Sequence, residues 1–409
     1  MDSVKQNERT PSSTALKFVL MIGVVSFFAD FTYEGSRSIT GPYLGTLGAT
    51  GTAVGIIAGV GELLGYGLRL VSGGLSEKTG EFWPITLAGY FVQMLAVPAL
   101  ALAGNWQVAA ALIILERIGK ATRNPPRDVM LSHAAKQMGY GWGFGVHEAL
   151  DQSGAFFGPL LVAAMLARRH GYIGAYAALL LPALITLALL VAARLIYPRP
   201  GDMEREAPDI HAAGLSNLFW IYMIGATLVA AGFADYSLIA YHFEKTARVP
   251  QDWVPIFYSV AMGVSGIGSL LFGRLFDRAG LVILIPLTLI SALAMPLVFL
   301  GGFKLALIGC AIWGMGMGVH ESIIPAAVAT MVPRERRPSA YGIFTGAYGV
   351  AWFLGSVLIG VLYDVSLPFL IAFSVLAELA AIPVFFKVSR LAKANRSSPV
   401  TQSASGSTH

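Results

Sequence analysis

Charged residues are scarce in this sequence. Asp, Glu, Lys and Arg make up 12% of the 409 residues, whereas 56% of the residues are hydrophobic. Soluble domains average about 25% charged residues, so a soluble fold could not hide this much apolar surface from water. The composition therefore predicts a chain whose main solvent is lipid, and no nucleic-acid-binding function is compatible with it.

Several short signals are also missing. The single cysteine, Cys310, excludes an intramolecular disulfide. No G-x-x-x-x-G-K-[ST] loop occurs, which argues against ATP-driven transport. Of the 13 methionines only Met315 and Met317 lie close together, and they occupy different helix faces, so copper uptake through paired methionines is not expected. We expect no metal, no cofactor, no enzymatic catalysis and no cleavable signal peptide, since the first apolar segment is too long for one.

Long apolar segments, in contrast, are abundant. A helix of about 20 mostly apolar residues crosses the hydrocarbon core of a membrane. The segments are continuous rather than alternating, which favours helices over membrane strands. Twelve spans are predicted, at 16–40, 51–73, 83–103, 107–128, 142–167, 172–195, 216–241, 253–274, 281–301, 305–330, 339–362 and 367–388.

The positive charges predict how the chain is oriented. If the N-terminus is inside, 17 lysines and arginines lie in cytoplasmic segments and 5 in outer loops. Because positively charged loops stay inside, we expect both termini to be cytoplasmic, in a bacterial inner membrane. The predicted domains are a cytoplasmic N-terminus (1–15), an N-terminal six-helix bundle (16–195), a cytoplasmic linker (196–215), a C-terminal six-helix bundle (216–388) and a disordered cytoplasmic tail (389–409).

A four-residue motif recurs at an offset of 200 positions. It follows the second and the eighth span with the same spacing, as Gly73, Glu77, Lys78 and Gly80, and as Gly273, Asp277, Arg278 and Gly280. Twelve spans, a central linker and this repeated G-x-x-x-[DE]-[RK]-x-G loop resemble the major facilitator superfamily, over residues 15–390. The resemblance implies an all-α membrane fold in which two pseudo-symmetric six-helix bundles rock about a central site.

The same resemblance gives roles to several residues. The repeated loops would act as a conformational latch, in which Gly73 and Gly273 allow close helix approach. In the fifth span, "GAFFGPL" is similar to a glycine–proline motif of antiporters in this superfamily, carried here by Gly154, Gly158 and Pro159. The fourth-span string "GKATRNPPRD" looks like a poorly characterised prokaryotic branch. The glycine–proline motif favours export by proton antiport.

Ionisable residues inside a span are costly unless they are paired or hydrated, so each is a functional candidate. The candidates on the first span share one arc of the helix and are Asp30, Tyr33, Glu34 and Arg37. Asp235 and His242 repeat the seven-residue separation on the seventh span, but position 239 is isoleucine. Since chemistry often breaks the symmetry of a fold, Glu34 and Arg37 are the stronger candidates. The alternative is a Glu34–Arg37 pair that only fixes helix packing.

Two carboxylates lie close together on the fifth span. Glu148 and Asp151 are three positions apart, and His147 lies four positions before Asp151. Inside a membrane, two such carboxylates should not both stay ionised, so one would hold a proton that His147 could share. The alternative is that the helix begins later and these residues form a hydrated cytoplasmic end. His320 and Glu321 are expected near the cavity, because the tenth helix lines it in this superfamily.

The second and fourth spans carry further charges. Glu62 and Arg69 share one face of the second span and could pair with charges on the first or the fourth helix. On the fourth span the cations descend one side of the helix from mid-membrane to the cytoplasmic face, as Arg117, Lys120, Arg123 and Arg127. Pro125 and Pro126 should break or bend this helix near 121–124. Arg127 and Asp128 are expected to pair with Lys78 and Glu77.

The tenth span is the symmetry mate of the fourth at an offset of 199. Gly119 and Pro126 recur there as Gly318 and Pro325, whereas none of the cations recurs. The cations are therefore specific to the first half. They either bind an anionic substrate or balance four buried acids, Asp30, Glu34, Glu148 and Asp151; we favour a substrate role for Lys120 and Arg123. Arg117 also resembles an arginine that the superfamily uses in proton-coupled transport.

The sequence thus predicts a secondary active transporter that exports a small organic molecule in exchange for protons. Proton-coupled import of an organic anion is the second hypothesis, and a non-transporting receptor or scaffold is the third. The expected partners are a small-molecule substrate, protons and the lipid bilayer, with the chain as a monomer. The substrate-binding candidates are Tyr33, Arg37, Arg117, Lys120, Arg123, His242, His320 and Glu321, and the proton-coupling candidates are Asp30, Glu34, His147, Glu148, Asp151 and Asp235.

Overall fold

The computed structural model describes residues 11–136, 140–198, 215–332 and 336–397, and every regular element in them is helical. The first half contains α1 (Pro11–Thr46), α2 (Gly51–Thr79), α3 (Phe82–Ala99), α4 (Trp106–Lys136), α5 (Tyr140–Ala167), α6 (Gly171–Ala178) and α7 (Leu180–Ile196). The second half contains α8 (Asn217–Gly232), α9 (Tyr236–Thr246), α10 (Trp253–Ala279), α11 (Leu284–Ser291), α12 (Ala294–Leu300), α13 (Phe303–Gly318), α14 (Ile324–Met331), α15 (Arg337–Val365) and α16 (Leu367–Ser397).

These helices form twelve spans. Ten helical segments among the described residues are long and apolar enough to cross a membrane. One of them, Trp253–Leu300, has 48 residues and holds two spans, α10 and the pair α11–α12. The remaining span is α4, the fourth along the chain. It has 31 residues but is not among the ten apolar segments, because it carries several charged side chains. The predicted all-α membrane fold is confirmed.

The ends of the chain differ from the predicted boundaries. The first helix begins at Pro11 and the last continues to Ser397, so the chain is helical over 389–397, where the sequence predicts a disordered tail. Most of the predicted linker, 199–214, lies outside the described residues, as do 1–10 and 398–409.

Prolines do not interrupt α4. The helix runs unbroken through Pro125 and Pro126, so of the predicted break or bend near 121–124 the break does not occur. Pro125 cannot donate to the carbonyl oxygen of Ala121, four residues earlier. The hydroxyl of Ser72 on α2 donates to that oxygen instead, at 2.9 Å. A neighbouring helix thus satisfies the backbone group that the proline frees.

Other spans are irregular where no break is expected. The seventh span leaves helical geometry at Phe233–Asp235, between α8 and α9. The tenth contains a π-helical turn, Val319–Ile323, between α13 and α14. π-helical turns inside α-helices occur frequently at functional sites, and both irregular segments lie beside the central cavity described below.

The glycines of "GAFFGPL" are required by the packing of α5 against α1. A Cβ atom on Gly154 would lie 2.1 Å from the carbonyl oxygen of Phe27, and one on Gly158 would lie 2.1 Å from that of Phe31. Both distances are far below van der Waals contact, so only glycine permits this helix pair.

The two halves contact each other through the pairs α1–α9, α2–α15 and α5–α10. A Cβ on Gly41 of α1 would lie 1.7 Å from the carbonyl oxygen of Ser237 on α9. Asp364, near the end of α15, accepts hydrogen bonds from the backbone N–H groups of Gly51 at 3.0 Å and Thr52 at 2.7 Å. The first turn of α2 is thus capped from the opposite half, on the side of the 47–50 loop.

The repeated loops differ from the latch that the sequence predicts. Gly80 and Gly280 end α2 and α10 with φ of 70° and 66°, a region that favours glycine. Gly73 and Gly273, however, are not required by close contacts: a Cβ on the former would lie 3.5 Å from Pro125, and one on the latter would meet nothing within 4 Å. The predicted close approach at these two glycines is wrong in this conformation.

The expected ion pairs of the latch are also absent from the described residues. Glu77, Lys78, Asp277 and Arg278 are all exposed. Arg127 pairs instead with its neighbour Asp128, at 2.8 Å, and donates to the Ser26 hydroxyl at 3.2 Å. Because Arg127 is engaged with α1 and with its own helix, the predicted pairing of Arg127 and Asp128 with Lys78 and Glu77 is not formed.

Candidate functional site

A cavity of about 360 Å³ lies between the two halves. Its wall comes from α1, α2, α4 and α5 on one side, and from α10, α13, α14, α15 and the π-helical turn on the other. Ten charged side chains line it: Asp30, Glu34, Arg37, Glu62, Arg69, Arg117, Lys120, Glu148, Asp151 and Glu321. Nine of the ten belong to the first half, so the two walls have very different polarity.

Glu62 is the centre of one group of ion pairs. Its Oε1 lies 3.3 Å from Arg37 Nη2 and 3.1 Å from Arg117 Nη1, so it pairs with both the first and the fourth helix. Arg37 also pairs with Asp235 of the second half, at 3.0 Å. Arg117 also lies 3.6 Å from Glu116 Oε2. Each arginine is therefore already shared between two carboxylates, and the alternative Glu34–Arg37 pair is not formed.

Tyr33 connects this group to a second one. Its hydroxyl accepts a hydrogen bond from Arg117, and Lys120 Nζ lies 3.5 Å from the centre of its ring. The same Lys120 nitrogen is 4.0 Å from Asp30 Oδ1 and 3.9 Å from Glu34 Oε1. Glu34 in turn accepts a hydrogen bond from the hydroxyl of Tyr258 on α10. Glu34 thus joins the charged wall to the second half.

Arg123 lies behind the cavity rather than in its wall. Its side chain is 0% exposed, and its Nη2 lies 3.3 Å from Asp30 Oδ1. Its other nitrogens donate to Gln93 Oε1 at 2.5 Å and to the Tyr90 hydroxyl at 2.8 Å. The geometry therefore supports the counter-ion hypothesis for Arg123 and gives no support to a substrate role.

Three further candidates do not line the cavity. His147 is 3% exposed and bonds to the Ser26 hydroxyl at 2.8 Å. His242 bonds to the Tyr363 hydroxyl at 3.1 Å. Asp235 caps α9 by accepting from the N–H of Ser237 at 2.9 Å. The seven-residue spacing argument assumed one continuous seventh helix, whereas the chain leaves the helix just before Asp235.

The acids of the fifth span do reach the cavity. The helix α5 already begins at Tyr140, so it does not start later than predicted, although Glu148 is exposed. Glu148 accepts a hydrogen bond from Gln152 Nε2 at 3.0 Å, and Asp151 Oδ1 is buried with no hydrogen-bond partner among the described residues. Across the cavity, the π-helical turn places His320 and Glu321 in the opposite wall.

The sequence analysis missed several partners of these candidates. Gln93 is the one amide side chain in the apolar third span, which is a signal that could have identified it. Tyr258 has no such signal, because tyrosine is common in apolar spans. Glu378 is a lone acid in the apolar twelfth span; it is 1% exposed, does not line the cavity, and its Oε2 has no hydrogen-bond partner among the described residues.

Comparison with known proteins agrees with this architecture. An uncharacterized protein of Mycobacterium tuberculosis is 41% identical over 386 residues, which cover 92% of this chain and 94% of that protein. An uncharacterized MFS-type transporter of Methanocaldococcus jannaschii is 24% identical over 363 residues, covering 86% and 89% of the two chains.

Two solved structures show the same fold. A POT family transporter in complex with 5-aminolevulinic acid matches with a TM-score of 0.71 at 13% identity, over 92% of this chain and 96% of that one. The nucleoside transporter NupG matches with a TM-score of 0.70 at 14% identity, over 93% and 100%. The model of the Major Facilitator Superfamily matches residues 22–356. The chain therefore belongs to the major facilitator superfamily, and it is a multi-pass secondary transporter rather than an enzyme.

Proposed function

We propose that the chain exports a small organic molecule in exchange for protons. The observation that carries the proposal is the position of Lys120 Nζ, 4.0 Å from Asp30 Oδ1 and 3.9 Å from Glu34 Oε1. One ammonium group cannot neutralise two carboxylates within a membrane. Asp30 has Arg123 as a second cation, whereas among the described residues Glu34 has only Lys120. Glu34 is therefore the carboxylate that takes up and releases the proton.

The Glu34 proton is coupled to the contact between the two halves. Ionised Glu34 accepts a charge-assisted hydrogen bond from Tyr258 of α10, and such bonds are roughly twice as strong as neutral ones. Protonation of Glu34 weakens this bond and releases Lys120 to Asp30. Binding of a proton thus loosens one tie between α1 and α10, which is what alternating access requires of a coupling residue.

The direction of transport is inferred from the fifth span. The "GAFFGPL" glycines bring α5 into close contact with α1, the helix that carries Glu34, and the motif is similar to one found in antiporters. Import of an organic anion is the weaker hypothesis, because Arg37, Arg117 and Lys120 already have carboxylate partners. A receptor or scaffold role does not fit a family of transporters.

The proposal includes an orientation. Both termini lie in the cytoplasm of a bacterial cell and the protein works as a monomer in the inner membrane, with the 196–215 linker and the loops ending at Gly80 and Gly280 on the cytoplasmic side. The excess of lysine and arginine on that side supports this orientation.

Inside-out membrane vesicles test the coupling. With an imposed acid interior and a fluorescent pH indicator, a compound that the wild-type protein transports should release protons when it is added. Glu34→Gln should abolish this release while the protein is still inserted at wild-type levels. Glu81→Gln is the matched control, because Glu81 is exposed and its side chain makes no capping bond. Unchanged proton release by Glu34→Gln would show that Glu34 is not the coupling residue.

A further inference from the structure

The acids of the cavity divide into two groups by their partners. Asp30, Glu34 and Glu62 each lie within 4.0 Å of at least one cationic side chain. Glu148, Asp151 and Glu321 have no ion pair with any described residue. The charges that remain available to a ligand in this cavity are therefore mainly negative.

Arg69 is the one lining cation without an ion pair among the described residues. It is exposed, and its guanidinium lies 5.9 Å from the centre of the Tyr66 ring. Asp151 shares a hydrogen bond with Asp30, which requires a proton on one of the two carboxyl groups. Glu148 and Glu321 together with Arg69 still leave a formal charge of about −1 when both acids are ionised.

Buried polar atoms that lack partners give an independent indication of a ligand. His320 is 6% exposed and lines the cavity. Its Nδ1 bonds to the Tyr348 hydroxyl, which leaves Nε2 buried and without a partner among the described residues. Asp151 Oδ1 is in the same condition. Buried polar atoms without partners are rare in native structures, so these two atoms indicate a polar ligand. Asp151 Oδ1 is an acceptor and would receive a hydrogen bond from that ligand, whereas the role of His320 Nε2 depends on the tautomer of the ring.

Aromatic side chains complete the environment. Tyr66 and Trp352 line the same cavity, from α2 and α15. Aromatic faces attract cations by about 0.5–2 kcal/mol. No group of His, Cys, Asp and Glu among the described residues could hold a metal ion. Carboxylates, an unpartnered acceptor and aromatic faces together fit an organic cation better than a metal.

We propose that the transported molecule carries a protonated amine, which binds between Glu148 of the first half and Glu321 of the second. This inference rests on the proposed export function and names its substrate class. A cation in this position ties the two halves together through one carboxylate from each. Glu34, which carries the exchanged proton in the proposed function, lines the same cavity as this cation site.

Binding to the purified full-length protein in detergent tests the inference without a proton gradient. The probes are amines that are protonated at neutral pH, from methylamine to benzylamine, and benzylphosphonate is the anionic counterpart of benzylamine. We expect at least one cation to quench tryptophan fluorescence saturably and to raise the midpoint of thermal unfolding. Benzylphosphonate should do neither.

The variants locate the site. Glu148→Gln and Glu321→Gln should each weaken cation binding about tenfold, the effect of losing a charged partner, while Glu81→Gln should bind as the wild type does. A wild-type elution profile in size-exclusion chromatography checks that each variant is folded. The proposal is overturned if no cation binds more tightly than benzylphosphonate, or if both glutamine variants keep wild-type affinity.

The two proposals fail in different ways. An anionic substrate that releases protons in vesicles through Glu34 would overturn the cation site and leave proton-coupled transport in place. If cation binding depends on Glu148 and Glu321 but Glu34→Gln leaves proton release unchanged, the cation site stands and the role of Glu34 in proton coupling is overturned.

Discussion

The two halves of the molecule share a helical plan but differ in where they place charge. At an offset of 199, Gly119 and Gly318 occupy equivalent positions, and a Cβ on either would lie within 3.0 Å of the backbone of a neighbouring helix. The cations of the fourth span have no such equivalents, since Lys120 corresponds to Val319 and Arg123 to Ser322. Residues that recur in both halves therefore maintain the architecture, and those that do not recur form the charged wall.

Equivalent prolines also behave differently in the two halves. In the first half α4 continues through Pro125 and Pro126, and Ser72 satisfies the Ala121 carbonyl that Pro125 frees. In the second half a π-helical turn, Val319–Ile323, precedes Pro325 and brings Glu321 to the cavity. In the first half the helix that contains the prolines carries the cations of the charged wall. In the second half the turn before Pro325 places one acid, Glu321, on the opposite side of the cavity.

Among equivalent positions of the two halves, we expect the largest difference in stability after mutation at Arg123 and Ser322. Arg123→Leu leaves Asp30 with a weaker partner and removes the hydrogen bonds to Gln93 and Tyr90. Removing one member of a buried pair destabilises a protein by about 3–5 kcal/mol. The variant should therefore unfold at a much lower temperature than the wild type, or fail to accumulate in the membrane.

The equivalent change in the second half is the control. Ser322 bonds only to the carbonyl of Gly318 on its own helix, so Ser322→Ala should change stability by less than about 1 kcal/mol. The double variant Arg123→Leu/Asp30→Leu removes both charges and should recover part of the loss. Equal stability of Arg123→Leu and Ser322→Ala would contradict the structural role of the buried cation.

The next comparison concerns how the second span of each half is capped at its N-terminus, which is α2 in the first half and α10 in the second. Asp364 of the second half caps α2, whereas Asp252 at the start of α10 makes no side-chain capping bond. Asparagine has one acceptor oxygen and no charge, so Asp364→Asn loses one of the two backbone bonds and makes the other neutral. We expect the cap to weaken by about 1 kcal/mol, which favours opening on the side of the 47–50 loop. Asp252→Asn should have little effect.

A buried reporter can measure this opening. Ala49 is 6% exposed, and its carbonyl accepts a bond from Tyr241 of the second half at 3.1 Å. In a Cys310→Ala background, Ala49→Cys should react with a membrane-impermeant thiol reagent several times faster when Asp364→Asn is added. Equal labelling rates with and without the Asp364 change would show that the cap does not hold this side closed.

The fold was predictable because most spans can be recognised from the local sequence alone, as about 20 mostly apolar residues between polar turns. The pairing of Glu62 with charges on the first and fourth helices was predictable for a similar reason, since an isolated acid in an apolar helix needs a partner. Tyr258 could not be assigned to Glu34, because the register between α1 and α10 is set by packing across the two halves. The same holds for the seventh span, where no proline marks the break before Asp235.

The smallest expected effect concerns the proline region of α4. Ser72→Ala removes the hydroxyl that bonds to the Ala121 carbonyl, so a buried backbone acceptor loses its partner near Pro125. Hydrogen bonds between membrane helices contribute about 0.6 kcal/mol on average. The variant should lower the midpoint of thermal unfolding slightly and leave substrate-driven proton release close to the wild-type rate. The control is Ser76→Ala, whose hydroxyl bonds only to Gly73 of its own helix. If Ser72→Ala is no less stable than Ser76→Ala, then α4 stays helical through its two prolines without help from α2, and the contrast with the π-helical turn of the second half must come from the sequence of each helix alone.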